Sequence, residues 1–122
     1  MSKRVQVALL LTGNELMSGD IVDSNSSRIA HALAAHKIGV GKKITVGDDP
    51  QLLSDSLIEL CANAEVVIIN GGLGPTEDDL TADIVADVAG KALVDHPKAI
   101  EHLEVWCERR GLDLNPSNLK QA

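Results

Sequence analysis

The chain has 122 residues, and 18 Asp and Glu residues against 11 Lys and Arg residues give a formal net charge of −7. A chain of this charge gains nothing by neutralising nucleic-acid phosphates, and with one Trp, no Tyr and no Phe it lacks stacking surfaces for single-stranded bases. The length fits one domain, and 44% hydrophobic and 24% charged residues are typical of globular proteins. These values predict a single globular domain over residues 1–122 that binds no nucleic acid.

The sequence also bears on the cellular compartment. No apolar run approaches the ~20 residues that span a bilayer, and the apolar segment after Lys3 and Arg4 is too short for a signal peptide. The two cysteines, Cys61 and Cys107, lie in helix-like segments, which is typical of reduced thiols in the cytosol. We therefore expect a soluble cytoplasmic protein with no membrane partner.

Three apolar runs predict strands, and each is followed by a helical pattern. The first run, residues 5–11, is nearly continuous and predicts a strand buried on both faces. The second, residues 40–46, contains two lysines and is expected at a sheet edge, whereas residues 66–70 are the most strand-like of the chain. Alternating strands and helices imply parallel pairing with right-handed crossovers. The pattern predicts an α/β fold with a mainly parallel sheet in which the first strand lies between the other two.

Helix signals follow the strands. Residues 23–25 offer N-caps for one helix, and Asp49 followed by Pro50 predicts the start of the next. The apolar side chains of that second helix recur at helical spacing, at Leu53, Leu57, Leu60, Cys61 and Ala64. Further helices are expected to end at Gly90 and to begin at Pro97. The single tryptophan, Trp106, is most simply a core or interface residue.

The expected binding site follows from this topology. In open parallel sheets ligands bind at the carboxyl ends of the strands, at the point where the strand order reverses. The loops at that point are residues 12–15 and the glycine-rich residues 71–79. Glycines let the backbone approach a ligand, and successive N–H groups opening onto a helix form an anion cradle, although a tight strand-to-helix turn explains the glycines equally well. The loop is neither a P-loop nor a good dinucleotide fingerprint, because Glu77 occupies the third glycine position.

Acidic residues accompany all three strand ends. They are Glu15, Asp48, Asp49, Glu77, Asp78 and Asp79. Asp49 is explained as a helix cap, and Asp78 or Asp79 could cap the helix that follows the glycine loop. A phosphate bound among so many carboxylates needs a divalent cation to offset the repulsion, and magnesium or manganese suits carboxylate oxygens. The residues alone therefore lead to the hypothesis of a metal-assisted phosphoanhydride site.

Four segments resemble the CinA family of the molybdopterin-binding domain superfamily. They are residues 12–25, with the motif Thr12-Gly13-Asn14-Glu15, residues 45–49, residues 70–81, and residues 115–122. The resemblance covers essentially the whole chain. It implies a three-layer α/β/α sandwich with a mainly parallel sheet.

The same resemblance implies an activity. CinA-type N-terminal domains are associated with metal-dependent hydrolysis of ADP-ribose to AMP and ribose 5-phosphate, which implies an ADP-ribose pyrophosphatase type of hydrolase using Mg, Mn or Co. Asp48 and Asp79 would be catalytic, and Asp48, Asp78 and Asp79 would hold the metal. The expected substrate-binding residues are Thr12, Gly13, Asn14, Glu15, Asn25, Gly71, Gly72, Leu73, Gly74, Pro75 and Thr76. The expected partners are a small-molecule nucleotide or pterin phosphate and further copies of the chain in a dimer or trimer.

Two alternatives stay open beside this activity. One is molybdopterin binding or adenylylation; Asp78 stands where the adenylating relatives tend to have a basic residue, which favours a metal role. The other is a non-catalytic ligand-binding or oligomerisation module. Family members continue past the Lys-Gln-Ala segment at residues 120–122 into further strands, and many carry a second domain that deamidates nicotinamide mononucleotide. The domain is therefore expected to be incomplete at its C-terminal end.

Overall fold

The computed structural model of the protein describes residues 4–122. Its strands and helices are, in chain order, β1 (Val5–Thr12), α1 (Asn14–Ser18), α2 (Asn25–Ala34), β2 (Val40–Val46), α3 (Pro50–Asn63), β3 (Ala64–Asn70), α4 (Thr81–Ala89), α5 (Pro97–Arg109) and α6 (Pro116–Leu119). The three strands form a parallel sheet in the order β2-β1-β3. The predicted strand order is thus confirmed.

Strand β1 is the centre of the molecule. Its residues 7–12 are all buried, and alternate side chains enter two separate cores. Ala8 and Leu10 pack with α3 and α4 on one face of the sheet, whereas Val7, Leu9 and Leu11 pack with α1 and α2 on the other. A nearly continuous apolar run was needed because both faces are covered by helices. The α/β/α sandwich is therefore confirmed.

Strand β2 lies at a sheet edge, as its lysines predict. Lys42 forms an ion pair with Glu59 of α3, and the Lys43 Nζ atom lies 3.9 Å from Asp23 Oδ2, just before α2. Successive side chains of a strand point to opposite faces, so the two lysines reach acidic partners in different helix layers. Charged residues are tolerated here because the edge strand stays close to solvent.

Helix α3 confirms its predicted start and corrects its predicted apolar stripe. The Asp49 carboxylate accepts a hydrogen bond from the Leu52 N–H at 2.9 Å, and Pro50 occupies the first turn. Cys61, however, is exposed, and Ala64 is already the first residue of β3. The buried stripe therefore ends within α3, and Ala64 joins the core formed by the leucines of α3 from its place in β3.

Trp106 of α5 lies at the surface and is not a core residue. It is 39% exposed, and its ring lies 4.2 Å from the Arg110 guanidinium, whereas the neighbouring Cys107 is buried.

The longest helix, α3, has 14 residues. Among residues 4–122 there is no helix of the length and apolar character needed to cross a membrane.

Candidate functional site

The ends of β1 and β2 are joined by a reciprocal pair of hydrogen bonds. The Asp48 N–H donates to Asn14 Oδ1 at 2.9 Å, and the Asn14 N–H donates to Asp48 Oδ2 at 3.3 Å. The Thr12 hydroxyl donates to the Gly47 carbonyl at 3.3 Å and lies 3.5 Å from Asp48 Oδ1. Asp48 thus lies at the carboxyl ends of the strands, as predicted, where its hydrogen bonds join the loops that follow β1 and β2.

The glycine loop is held tightly between β1 and α4. Gly71 and Gly72 have φ values of 107° and 67°, and a Cβ at either position would overlap the Thr12 carbonyl oxygen or the Thr81 hydroxyl, respectively. The buried Thr81 donates from Oγ1 to the Gly71 carbonyl at 2.6 Å and from its N–H to the Gly72 carbonyl at 3.1 Å. One reason for these glycines is therefore the close approach of the loop to the backbone of Thr12 and to the side chain of Thr81. Thr81 was missed because its partners are defined only by the folded loop.

Asp79 closes a turn and does not cap α4. Its Oδ2 atom accepts hydrogen bonds from the Thr76 N–H at 2.9 Å and the Thr76 hydroxyl at 2.7 Å. The N-cap position of α4 is Leu80, which makes no side-chain capping bond. The prediction that Asp78 or Asp79 caps this helix is therefore wrong, because the Asp79 carboxylate turns back toward the preceding loop.

The hydrogen bonds to Thr76 change the ionisation of Asp79. The Thr76 hydroxyl, followed by the Thr76 N–H, holds the pKa of Asp79 below its ordinary value of 3.8. The Gly74 N–H and the positive charge of Lys120 act in the same direction, and partial burial opposes them. Asp79 is therefore anionic at neutral pH and rigidly oriented.

Two clefts flank the glycine loop. The first cleft, of about 270 Å³, is lined by Thr12, Glu15, Leu16, Ile21, Val22, Asp23, Ser24, Asn25, Asn70 and Gly71. The second cleft, of about 450 Å³, is lined by Gly72, Leu73, Gly74, Asp79, Ala82, Leu93, Val94, Asp95, Lys120, Gln121 and Ala122. Gly71 lines one cleft and Gly72 the other, so both clefts adjoin the same loop.

The sequence-predicted site residues divide among four places. The first cleft contains Thr12, Glu15, Asn25 and Gly71, and the second contains Gly72, Leu73, Gly74 and Asp79. The remaining predicted residues hold the β1–β2 junction or belong to the turn before α4, namely Gly13, Asn14 and Asp48, and Pro75, Thr76 and Asp78. The structure brings the first two groups to the same strand ends, as the topology predicts.

A charged network fixes the wall of the first cleft. The Asp23 carboxylate accepts hydrogen bonds from the Ser26 N–H at 3.1 Å and from the buried Ser26 hydroxyl. The pKa of Asp23 is lower than its ordinary value, chiefly because the Ser26 hydroxyl donates to the carboxylate. Burial raises this pKa, and the positive charge of Lys43 lowers it further. The network orients the first turn of α2, where Asn25 lies. Sequence reasoning identified the cap but missed Lys43, which comes from a different strand.

The predicted metal ligands are not gathered into one cluster. Within the described part of the chain, no group of three or more His, Cys, Asp or Glu side chains is placed to hold a metal ion. Asp48 and Asp79 are hydrogen-bonded into different loops, and Asp78 is exposed. This arrangement does not fit a cation held by Asp48, Asp78 and Asp79 together. A requirement for Mg, Mn or Co stays a prediction.

The lowered pKa of Asp79 makes a prediction about stability and pH. A group whose pKa is lower in the folded state stabilises the fold above its unfolded pKa, near 3.8 here, and this contribution disappears as the pH falls through the folded-state value. We therefore expect the difference in free energy of unfolding between wild type and Asp79→Asn to be constant near neutral pH and to narrow as the pH falls below about 3.8. Urea unfolding at a series of pH values measures it.

The matched control for this experiment is the same substitution in a Thr76→Val background. Without the Thr76 hydroxyl, which is the main cause of the lowered pKa, the effect of Asp79→Asn and its pH dependence should both become smaller. If the difference in free energy of unfolding between wild type and Asp79→Asn is constant over the whole pH range, the lowered pKa of Asp79 is contradicted.

The fold and the clefts together define a class of protein. A parallel sheet covered by helices on both faces, with a glycine loop and two clefts where the strand order reverses, is the arrangement in which α/β domains typically bind ligands. Residues 8–113 match the family model described as a probable molybdopterin binding domain. The chain belongs to this family, and within it to the CinA-like proteins.

Relatives of known sequence support this membership. The chain is 52% identical over 117 residues to a CinA-like protein of Colwellia psychrerythraea, and 37% identical over 118 residues to the nicotinamide-nucleotide amidohydrolase PncC of Shewanella oneidensis. These matches cover 96% and 97% of this chain, but the chain spans only 27% and 28% of the two relatives.

The solved structures agree with the fold. A crystal structure of CinA from Thermoplasma acidophilum, described as a protein of unknown function, matches with a TM-score of 0.82 at 29% identity, over 98% of this chain and 69% of that one. The molybdopterin biosynthesis enzyme MoaB of Thermus thermophilus matches with a TM-score of 0.66 at 19% identity, over 96% of this chain and 71% of that one, which shows likeness of fold alone.

These comparisons overturn the predicted reaction. The relatives above are named as CinA-like or as an amidohydrolase, and the family is described by molybdopterin binding, so the prediction of ADP-ribose hydrolysis is wrong. That prediction required metal-bound carboxylates around a diphosphate, and the structure disperses Asp48, Asp78 and Asp79. The family does include a protein named as an enzyme, whereas a pyrophosphatase type gains no support.

Proposed function

We propose that this domain binds a phosphorylated pterin, with the ring in the first cleft and the phosphate in the second. The observation that carries the proposal is that consecutive glycines, Gly71 and Gly72, each line one of two clefts at the carboxyl ends of β1 and β3. A ligand with a flat ring and a separate anionic group can occupy both clefts across this point. The family description supports the pterin class.

The first cleft has the chemistry that a pterin ring requires. Leu16, Ile21 and Val22 supply apolar wall, and Glu15 and Asn25 supply polar groups at the same cleft. The 2-amino-4-oxo edge of a pterin presents neighbouring N–H donors, and one carboxylate can accept from two such donors. Glu15 is therefore the expected partner of that edge, and Asn25 can bond either a donor or an acceptor of the ring.

Ligand binding comes before any reaction that the family performs. Adenylylation of a pterin would require ATP as a second ligand, and a module that only binds would need none. An enzymatic role fits a family in which one relative is named as an amidohydrolase. Saturable binding of a phosphorylated pterin is common to the enzymatic and the non-enzymatic alternatives, so it is the property to test first.

The test is calorimetric titration of the chain with a phosphorylated pterin and with the same pterin lacking phosphate. We expect saturable binding of the first and weaker binding of the second. Glu15→Gln should lower the affinity for both ligands by about tenfold or more, because a charge-assisted hydrogen bond is worth about 1.5–3 kcal/mol. Glu104→Gln, at an exposed position of α5, is the matched control and should bind as wild type does.

Two results would contradict the proposal. One is the absence of saturable binding of the phosphorylated pterin to a folded wild-type chain. The other is an unchanged affinity in Glu15→Gln, which would place the ring outside the first cleft.

A further inference from the structure

The C-terminal segment brings a positive charge to the second cleft. The Asn115 side chain accepts a hydrogen bond from the Asn118 N–H at 3.0 Å and so caps the short helix α6. The Ala122 carbonyl accepts from the His96 N–H at 3.1 Å, which attaches the segment to the start of α5. Between these two attachments, the Lys120 ammonium donates to the Thr76 carbonyl in the turn after the glycine loop. Lys120 is therefore positioned by the fold at this cleft.

The charges around the second cleft give Lys120 a distinct place. Among the lining residues of the cleft that belong to the described range 4–122, Asp79 and Asp95 are acidic and Lys120 is the only Lys or Arg. A phosphate entering the cleft meets two carboxylates, in a chain whose net charge is already −7. Repulsion between these charges must be offset for a phosphate to bind. Lys120 is the cation that the lining itself supplies.

The hydrogen bonds of Lys120 leave capacity for a ligand. A lysine ammonium has three N–H donors, and the Thr76 carbonyl accepts one of them. The Asp79 carboxylate on the same cleft receives the Thr76 N–H and hydroxyl on its Oδ2 atom, and the charge of Lys120 acts on it without a direct hydrogen bond. Two donors of Lys120 therefore remain for phosphate oxygens.

We propose that Lys120 binds the phosphate group of the ligand in the second cleft and thereby selects phosphorylated over unphosphorylated forms. This inference rests on the proposed function, because it assigns the residue that recognises the anionic part of the same ligand. Lysine suits this role as a point charge whose N–H donors contact phosphate oxygens. A lysine at this position would also let an acidic chain bind an anion beside the glycine loop without a metal ion held by three carboxylates.

The experiment compares Lys120→Met, Lys120→Arg and Lys98→Met. Lys120→Met removes the charge but keeps an unbranched side chain, and Lys120→Arg keeps the charge. Lys98→Met is the control, since it removes an exposed lysine of α5. Titrations use a phosphorylated pterin, the same pterin without phosphate, and inorganic phosphate as a competitor. Thermal melting of each variant checks the fold, which should persist because Lys120 is exposed.

We expect Lys120→Met to lose about tenfold or more in affinity for the phosphorylated pterin and none for the unphosphorylated one. Lys120→Arg should remain within a few-fold of wild type, and Lys98→Met should equal it. Binding by wild type should weaken with added salt more steeply than binding by Lys120→Met, since the lost contact is ionic.

The outcomes separate the two proposals. If wild type binds the phosphorylated pterin and Lys120→Met binds it equally well, the role of Lys120 is overturned and the proposed function stands. If Lys120→Met loses affinity for both pterins to the same extent, Lys120 supports the site without selecting phosphate, which also overturns this inference. If folded wild type binds neither ligand, the proposed function itself fails, and the assignment of Lys120 fails with it.

Discussion

Leu53→Ala is expected to lower the free energy of unfolding by about 2–5 kcal/mol, because it removes a fully buried side chain and leaves a cavity. Leu53 belongs to α3, is 2% exposed and lies in the core cluster that contains Leu10 and Leu57. The core around it is built from a rigid central strand, which limits how far the site can collapse into the space. Urea denaturation monitored by circular dichroism measures the change.

The neighbouring residue provides a matched control for this substitution. Leu52 lies on the same helix, in the same turn, but is 53% exposed. Leu52→Ala should change the free energy of unfolding by no more than about 0.5 kcal/mol, as surface substitutions usually do. Equal losses at the two positions would contradict the packing of α3 on the sheet.

Gly72→Ala is the second substitution with a large expected effect. Its φ of 67° lies in the left-handed region, where an alanine costs about 1–2 kcal/mol. A Cβ at this position would in addition overlap the Thr81 hydroxyl, which is buried and bonded to the Gly71 carbonyl and so has little freedom to move. This overpacking adds about 1–3 kcal/mol. The free energy of unfolding should therefore fall by more than the conformational cost alone.

Gly111→Ala separates the two causes. Gly111 has a φ of 64°, close to that of Gly72, but a Cβ there would meet no atom within 4 Å. It should show only the conformational cost, so the difference between the two variants measures the close packing of the glycine loop. If both variants lose the same stability, the tight contact between this loop and α4 is not present in solution.

The strand ends show which parts of the site were predictable. The order β2-β1-β3 and the position of the glycine loop followed from the two-sided burial of β1 and from the lysines of β2, which are local properties of the chain. The roles of individual carboxylates did not follow. Asp79 does not cap α4 as expected but accepts two hydrogen bonds from Thr76, and its role as a metal ligand stays a prediction. The sequence pattern alone does not separate these roles. A carboxylate that precedes a helix can turn forward to the first N–H groups of the helix or back to the preceding loop.

By itself, the sequence determined the α/β class, the central and edge strands, the start of α3 at Asp49 and the strand ends at which the glycine loop and the two clefts lie. These depend on periodicity, capping and turn chemistry, which act over a few residues. Only the tertiary structure decided that Lys120 reaches Thr76, that Lys43 reaches Asp23, and that the predicted metal-binding carboxylates are dispersed. Such contacts join residues far apart in the chain, and their geometry depends on how helices and loops pack on the sheet, which no local pattern encodes.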